Sequence, residues 1–267
     1  MKLYHKNVLL TGASGGIGRC IALELARRRA RVALAGRRET RLLGLAAHIN
    51  SDGGFAAALP CDLMAANGPA TLYERAVDEL GSVDILINNA GLSSFGPHVD
   101  EEESKIRHLV GVNLTSSMLL AREVLPAMLK RGSGHIVNIG SAVGSIGLPQ
   151  FAAYSATKFA LRGFSEALRR ELAGSGVTVT YIAPRTTDTG MNTRAVRDAM
   201  AQSGAAMDAP EKVARVIINA IEDDRSAVHI GWPERIFARI NALLPGLVDR
   251  ALAKQNGKAS GPAGKPA

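Results

Sequence analysis

Little in this chain would let it work through sulfur, base stacking or a membrane span. Only two cysteines occur in 267 residues. Cys20 lies in a helical stretch and Cys61 at a strand end, with no metal-type spacing and no partners for a disulfide framework. Both read as small buried side chains, and no metal site is expected. Aromatic residues make up 4% of the chain, too few for the stacking platforms that hold single strands, and no nucleic-acid module pattern is present. Nucleic acid is therefore not an expected partner, although the formal net charge is +8 and the pI near 9.8. Such a field also attracts anionic lipid, an acidic carrier or an acidic substrate, and charge does not choose among these. No run of eighteen or more uncharged apolar residues occurs, and "MKLYHKNVLLTG" runs into a glycine loop without the h-region of a signal peptide. The expected location is cytoplasmic.

What is present is enough apolar material, 46% of the residues, to bury one large core. Strand-length apolar runs recur at 8–10, 31–36, 55–60, 84–89, 135–140, 177–183 and 227–232. Segments of helical period lie between them at about 17–29, 39–49, 69–80, 101–130, 152–173 and 209–222. Strict alternation of this kind predicts an α/β fold. The first runs are continuously apolar, as in strands covered on both faces. The expected architecture is a single doubly wound, Rossmann-type parallel sheet of about seven strands over residues 1–233. Asp208, followed by Pro210 and Glu211, reads as the cap of the helix at 209–222. Residues 184–208 carry no strand and hold Met191, Met200 and Met207 among alanines, a composition suited to a mobile apolar lid.

In "VLLTGASGGIGRCIALEL" a strand leads into Gly12, Gly16 and Gly18 and then into a helix with Ile17, Ile21 and Leu25 on one side. Glycines let the backbone approach a pyrophosphate, and the helix N-terminus offers it free N–H groups. An acidic residue about 20 positions on ordinarily accepts from the adenosine ribose 2′-hydroxyl. Here that place reads "AGRRE". Arg37 and Arg38 match a 2′-phosphate instead, which favours NADP(H) over NAD(H).

"YSATK" places Tyr154 and Lys158 four positions apart in a helical segment, so that both point the same way. A phenol needs help to serve as acid or base near neutrality: a shift of about 3 units from 10, or roughly 4 kcal/mol. An ammonium at about 4 Å supplies that much only where the effective dielectric is near 20, so the site must be partly dry. The other side of the same segment shows Ala156, Ala160, Gly163 and Ala167, a stripe that lets the core or a second subunit approach.

These motifs resemble the short-chain dehydrogenase/reductase family in its single-domain, NADP(H)-dependent branch. The likeness rests on "TGASGGIG" 11–18, "CDL" 61–63, "NNAG" 88–91, "VNL" 112–114, "IGSAVG" 139–144 and "YSATK" 154–158. It extends over about residues 5–232 and implies hydride transfer between nicotinamide and a carbonyl or secondary alcohol. By resemblance, Tyr154 exchanges a proton with the substrate oxygen, Lys158 lowers the tyrosine's pKa and holds the nicotinamide ribose, Ser141 hydrogen-bonds the reacting oxygen, and Asn113 supports a proton relay. The cofactor-binding set so implied is Gly12, Ser14, Gly16, Ile17, Gly18, Arg37, Arg38, Asp62, Leu63, Asn88, Ala90, Gly91, Tyr154, Lys158, Pro184 and Thr189. The resemblance also implies a homodimer or homotetramer.

One departure stands out: where the family usually has Pro-Gly after the sixth strand, this chain has Pro184 and Arg185. Either a solvated arginine or one near phosphate or an acidic substrate fits that position. Residues 234–253 form an amphipathic helical extension interrupted by Pro245 and Gly246. It suits closure of the substrate pocket, a subunit contact or weak membrane-surface contact. The Gly/Pro/Lys tail, 254–267, is expected to be disordered. The favoured substrate is apolar or acyl-type. Two alternatives are a 3-oxoacyl carrier-protein reductase and a non-catalytic NADP(H)-binding regulator.

Overall fold

The structure, a computed structural model, describes residues 2–203 and 206–259. The apolar runs form seven parallel strands: β1 (Asn7–Thr11), β2 (Arg31–Gly36), β3 (Phe55–Pro60), β4 (Ile85–Asn88), β5 (Gly134–Ile139), β6 (Val177–Ala183) and β7 (Ala227–His229). Their order in the sheet is β3-β2-β1-β4-β5-β6-β7. Helices α1 (Gly16–Arg27), α2 (Glu39–Ser51) and α3 (Gly68–Leu80) follow the first three strands. After β4 come α4 (Glu103–Val110) and α5 (Ser116–Arg131), and after β5 comes α6 (Ala152–Glu171). Beyond β6 lie α7 (Arg194–Ser203) and α8 (Pro210–Glu222), and beyond β7 lie α9 (Trp232–Leu243) and α10 (Pro245–Ala259).

The continuous apolar character of the strands has a direct cause. Val8 and Leu10 of β1 enter a core with α1, α2 and α8, while Leu9 between them enters a second core with α3, α5 and α6. Alternate residues of a strand face opposite sides, so a sheet covered on both faces needs apolar residues at every step. Each fully buried Leu or Ile contributes roughly 1.5–3 kcal/mol, which makes these two layers the main source of stability. The chain winds outward from β1 to β3 and then returns to β4 beside β1. Ligands of such sheets bind at that reversal, outside the carboxyl ends of the strands. The loops leaving β1, β4, β5 and β6 converge on this edge.

Four local features differ from the sequence reading. The helix expected at 101–130 is interrupted by a π-helical turn at Gly111–Thr115. Asp208 does not cap α8: the capping position is Ala209, without a side-chain hydrogen bond, because the Asp208 carboxylate is engaged by Arg185 and Lys212. Between Pro184 and α8 the chain forms α7 and a single bridge between Thr187 and Asp208. The C-terminal extension is two helices parted at Leu244, and α10 runs to Ala259, so residues 254–259 of the expected tail are helical. Residues 260–267 lie outside the described residues.

Asn241 of α9 donates to the Ser145 carbonyl at 3.0 Å, which fastens the extension to the loop after β5. Leu243 is 80% exposed, and Phe237, Leu244 and Leu247 are exposed beside it. No helix among the described residues is long and apolar enough to cross a membrane. On α6 the small residues Ala156, Ala160, Gly163 and Ala167 are all exposed, so the stripe is not consumed by packing within the chain.

Candidate functional site

The glycine loop is held by its neighbours rather than by its own sequence alone. Gly12 has φ +65°, and an added Cβ would lie 2.8 Å from the Ala90 Cα. That left-handed turn and close approach are what only glycine allows. Thr11 Oγ1 accepts from the backbone N–H groups of Asn89 and Ala90, both at 3.0 Å, and Asn89 Nδ2 donates to the carbonyls of Thr11 and Gly12. The loop and the end of β4 thus form one rigid floor. A Cβ on Gly16 would be 2.6 Å from the Thr189 methyl. The limb after β6 therefore reaches the loop, and Gly12, Gly16, Gly18, Ala90 and Thr189 come together in one closely packed cradle. Ile17 packs against the core beneath it. Thr11 and Asn89 were missed by the sequence reading, though both lie inside its quoted motifs.

Beside this cradle a cleft of about 360 Å³ is lined by Ala13, Ser14, Arg19, Arg41, Gly44, Leu45 and His48. Ser14 also faces Gly36, where an added Cβ would lie 3.3 Å from its hydroxyl. Arg37 and Arg38 follow directly, exposed, and neither has an acidic partner among the described residues. No carboxylate among the described residues lines the cleft. Cys61 N–H donates to the Gly36 carbonyl, which sets Asp62 and Leu63 at the same edge, and Asp62 accepts from Met64 N–H at 2.9 Å. Arg19, Arg41 and His48 were not singled out in sequence, because helix-surface cations carry no local signal.

At the other end of the cradle, the residues after β5 and on α6 meet. Ser141 begins a short 3-10 turn, and its side chain accepts from Val143 N–H. Tyr181 of β6 supports this turn from below: its hydroxyl donates to the Ser141 carbonyl at 3.4 Å and would lie 2.6 Å from a Cβ on Gly144. Ala142 N–H donates to the Pro184 carbonyl at 2.8 Å, which ties the turn to the exit of β6. Tyr154 is half-buried. Burial raises its pKa, and a hydrogen bond from the Ser141 hydroxyl pulls the other way. The Phe151 ring centre lies 6.1 Å from that of Tyr154 and 4.9 Å from that of Phe95, forming an apolar wall beside the Tyr154 ring.

Lys158 is buried, and its ammonium donates to the Ile139 carbonyl at 3.1 Å, 5.7 Å from the centre of the Tyr154 ring. Burial pushes its pKa down to about 8. The sequence reading has this ammonium lowering the tyrosine's pKa. In the protein alone the dominant influence is the loss of water, which penalises the charged form of both groups, and Tyr154 is held as a neutral phenol. A Cβ on Gly91 would lie 3.4 Å from Asn113 Oδ1 and 3.6 Å from Lys158 Nζ, so these three meet.

Asn113 is fully buried in the π turn, a feature frequent at functional sites. Its amide donates to the Leu92 carbonyl and to Thr157 Oγ1 and accepts from Leu92 N–H. Thr157 in turn donates to the Tyr154 carbonyl at 2.8 Å. Asn113 therefore anchors both the loop after β4 and the first turns of α6. Asn88 ends β4, and its side chain donates to Asn138 Oδ1 of β5 at 2.9 Å and to the Ser117 carbonyl of α5.

Comparison with known proteins finds relatives of one family. A family model described as short chain dehydrogenase matches residues 6–200. The ketoacyl reductase HetN of Nostoc sp. is 36% identical over 255 residues, covering 93% of this chain and 88% of its own. The 3-oxoacyl-[acyl-carrier-protein] reductase FabG of Escherichia coli is 36% identical over 201 residues, 74% of this chain and 80% of its own. The fold matches that of a short chain dehydrogenase/reductase from Burkholderia phymatum, solved in complex with NAD. Its TM-score is 0.85 at 23% identity, covering 92% of this chain and 96% of that one.

Proposed function

The chain belongs to the short-chain dehydrogenase family of oxidoreductases, and from that premise we propose that it is an NADP(H)-dependent enzyme reducing a ketone on an apolar or acyl-type substrate. The observation that carries this reading is the convergence of Ser141, Tyr154 and Lys158 at one end of a glycine cradle that a Cβ would fill. Gly12, Ser14, Gly16, Ile17, Gly18, Ala90, Gly91, Pro184 and Thr189 would hold the cofactor, with Asp62 and Leu63 at the adenine end. The bound reduced nicotinamide would supply the hydride. Tyr154, kept neutral, is suited to give its proton to the substrate oxygen as the carbonyl becomes an alcohol. Ser141 would donate a hydrogen bond to that oxygen, and the Lys158 ammonium would stabilise the phenolate left behind. Asn113 would keep the proton supply aligned through Thr157 and Leu92.

NADP(H) specificity is supported by the carboxylate-free, basic cleft. Replacing Arg37 and Arg38 together with Ala is expected to raise the NADPH Kd roughly 10- to 100-fold, the worth of one or two charge-assisted hydrogen bonds. The NADH Kd should change less than about threefold, and equal losses for both cofactors would count against 2′-phosphate recognition. Fluorescence titration measures both.

The Lys158 ammonium carries charge below a pKa of about 8 and loses it above. The reductive kcat/KM is therefore expected to fall as pH rises through about 8, by up to about tenfold per unit. A profile flat to pH 9.5 would remove the ammonium from the chemistry.

A second reading, reduction of a 3-oxoacyl group on an acidic carrier protein, is favoured by the two relatives named for ketoacyl substrates and by the positive net charge. The same acyl chain presented on a carrier and on a small thiol separates the two. We also propose that α5 and α6 meet a second copy of the chain. The exposed small stripe and a 270 Å³ apolar groove, lined by Met118, Leu125, Leu129 and Phe164 among others, support this.

A further inference from the structure

The arginine that replaces the family's usual glycine after β6 is engaged by a buried carboxylate. Arg185 Nε donates to Asp208 Oδ2 at 2.7 Å and its Nη2 to Oδ1 at 2.9 Å, a two-pronged pair. The arginine side chain is 24% exposed and the aspartate 4%. The backbone closes around the same pair: Asp208 N–H donates to the Thr186 carbonyl, and Asp188 N–H donates to the Asp208 carbonyl, both at 2.9 Å. Residues 186–188 are thereby welded to the chain entering α8. On the far side of this weld, Arg197 of α7 donates to Asp188 Oδ1 at 2.7 Å and to the Thr189 carbonyl at 3.0 Å. Thr189 itself presses on Gly16 of the cradle.

We propose that Arg185 is a positioning residue: through Asp208 it fixes the limb 186–189, and so holds Thr189 against the glycine loop and slows cofactor escape. A planar guanidinium matched to a carboxylate constrains direction as well as distance, which a lysine at the same place would not. Lys212 also reaches Asp208, at 3.1 Å, but from α8 itself and with its side chain 59% exposed. It cannot tie the strand exit to the helix. The inference rests on the NADP(H) reading only for its cofactor arm; the weld itself can be read without any ligand.

The test uses the full chain with Asp208→Asn, Arg185→Lys, the exchanged pair Arg185→Asp/Asp208→Arg, and Lys212→Ala as control. The first readout is trypsin cleavage after Arg194 and Arg197 in the free protein, with thermal unfolding run beside it. The second is the NADPH dissociation rate by stopped-flow fluorescence. Asp208→Asn and Arg185→Lys are expected to speed cleavage at those two sites, and NADPH release, by about tenfold. The exchanged pair should recover much of the loss, and Lys212→Ala should match the parent. Cleavage and release both unchanged in Arg185→Lys would overturn the proposal, as would Lys212→Ala reproducing the effect. If Asp208→Asn fails to fold, Arg185→Lys alone decides. Faster cleavage in a protein that binds no NADPH would uphold the weld and defeat the cofactor reading instead.

Discussion

Replacing Tyr154 with Phe is expected to lower kcat for ketone reduction by roughly 100- to 10,000-fold, the range lost when a positioned acid is removed. The NADPH Kd should stay within about threefold of the parent, because the substitution leaves the glycine loop, Lys158 and the arginines untouched. The substitution removes one oxygen and leaves the ring against Phe151, so the apolar wall survives. Fold stability should change little, since burial already raises the phenol's pKa and the hydroxyl is poorly solvated where it stands. Steady-state kinetics and fluorescence titration on one preparation separate these outcomes. Substantial turnover in the variant would remove Tyr154 as proton donor.

The second large effect is expected at Gly18. An added Cβ would run into the Gly12 carbonyl oxygen and lie 2.7 Å from Asn89 Nδ2. The first neighbour is backbone, and the second is the amide that pins the loop, so neither can yield without opening the cradle. Gly18→Ala should therefore cost about 1–3 kcal/mol of stability, as overpacking does. It should also weaken NADPH on the order of 100-fold, because the helix N-terminus no longer meets the phosphates. Gly44→Ala is the matched control. It lies in α2 with nothing within 4 Å of the new methyl, and helix propensity alone should add about 0.5–1 kcal/mol. Equal stability losses in the two variants would show that close packing at the cradle is not the cause.

The sheet was legible in the sequence because its strands are buried on both faces and bounded by glycines. Each of the seven runs forms a strand, three with the same ends and the others with ends shifted by one to three residues. The three residues proposed as catalytic, Ser141, Tyr154 and Lys158, were legible through ordered motifs, each at a strand end or on α6. What stayed hidden has a common physical reason. The π turn that buries Asn113 adds one residue to a helical turn, too small a change for a periodic pattern to reveal. Asp208 read as a helix cap because its local neighbours fit one. Its actual partner, Arg185, lies 23 positions away and is brought to it only by the path of the chain after β6. Asn88 belongs to a motif placed at the cofactor, and its bond to Asn138 of β5 has no local signal. Tyr181 looked like one more apolar strand residue, although its hydroxyl reaches under the Ser141 turn.

The proposed function depends on a proton-donating phenol standing beside a hydride site. The most direct measurement is a single turnover with NADPH deuterated at C4 and a 3-oxoacyl thioester, run with the parent and with Tyr154→Phe. The parent should yield a 3-hydroxyacyl product with deuterium on the carbinol carbon, from one face of the nicotinamide only, and the variant should form almost none while still binding the cofactor. Deuterium transfer at parental rate in Tyr154→Phe, or none in the parent with any ketone offered, would contradict it.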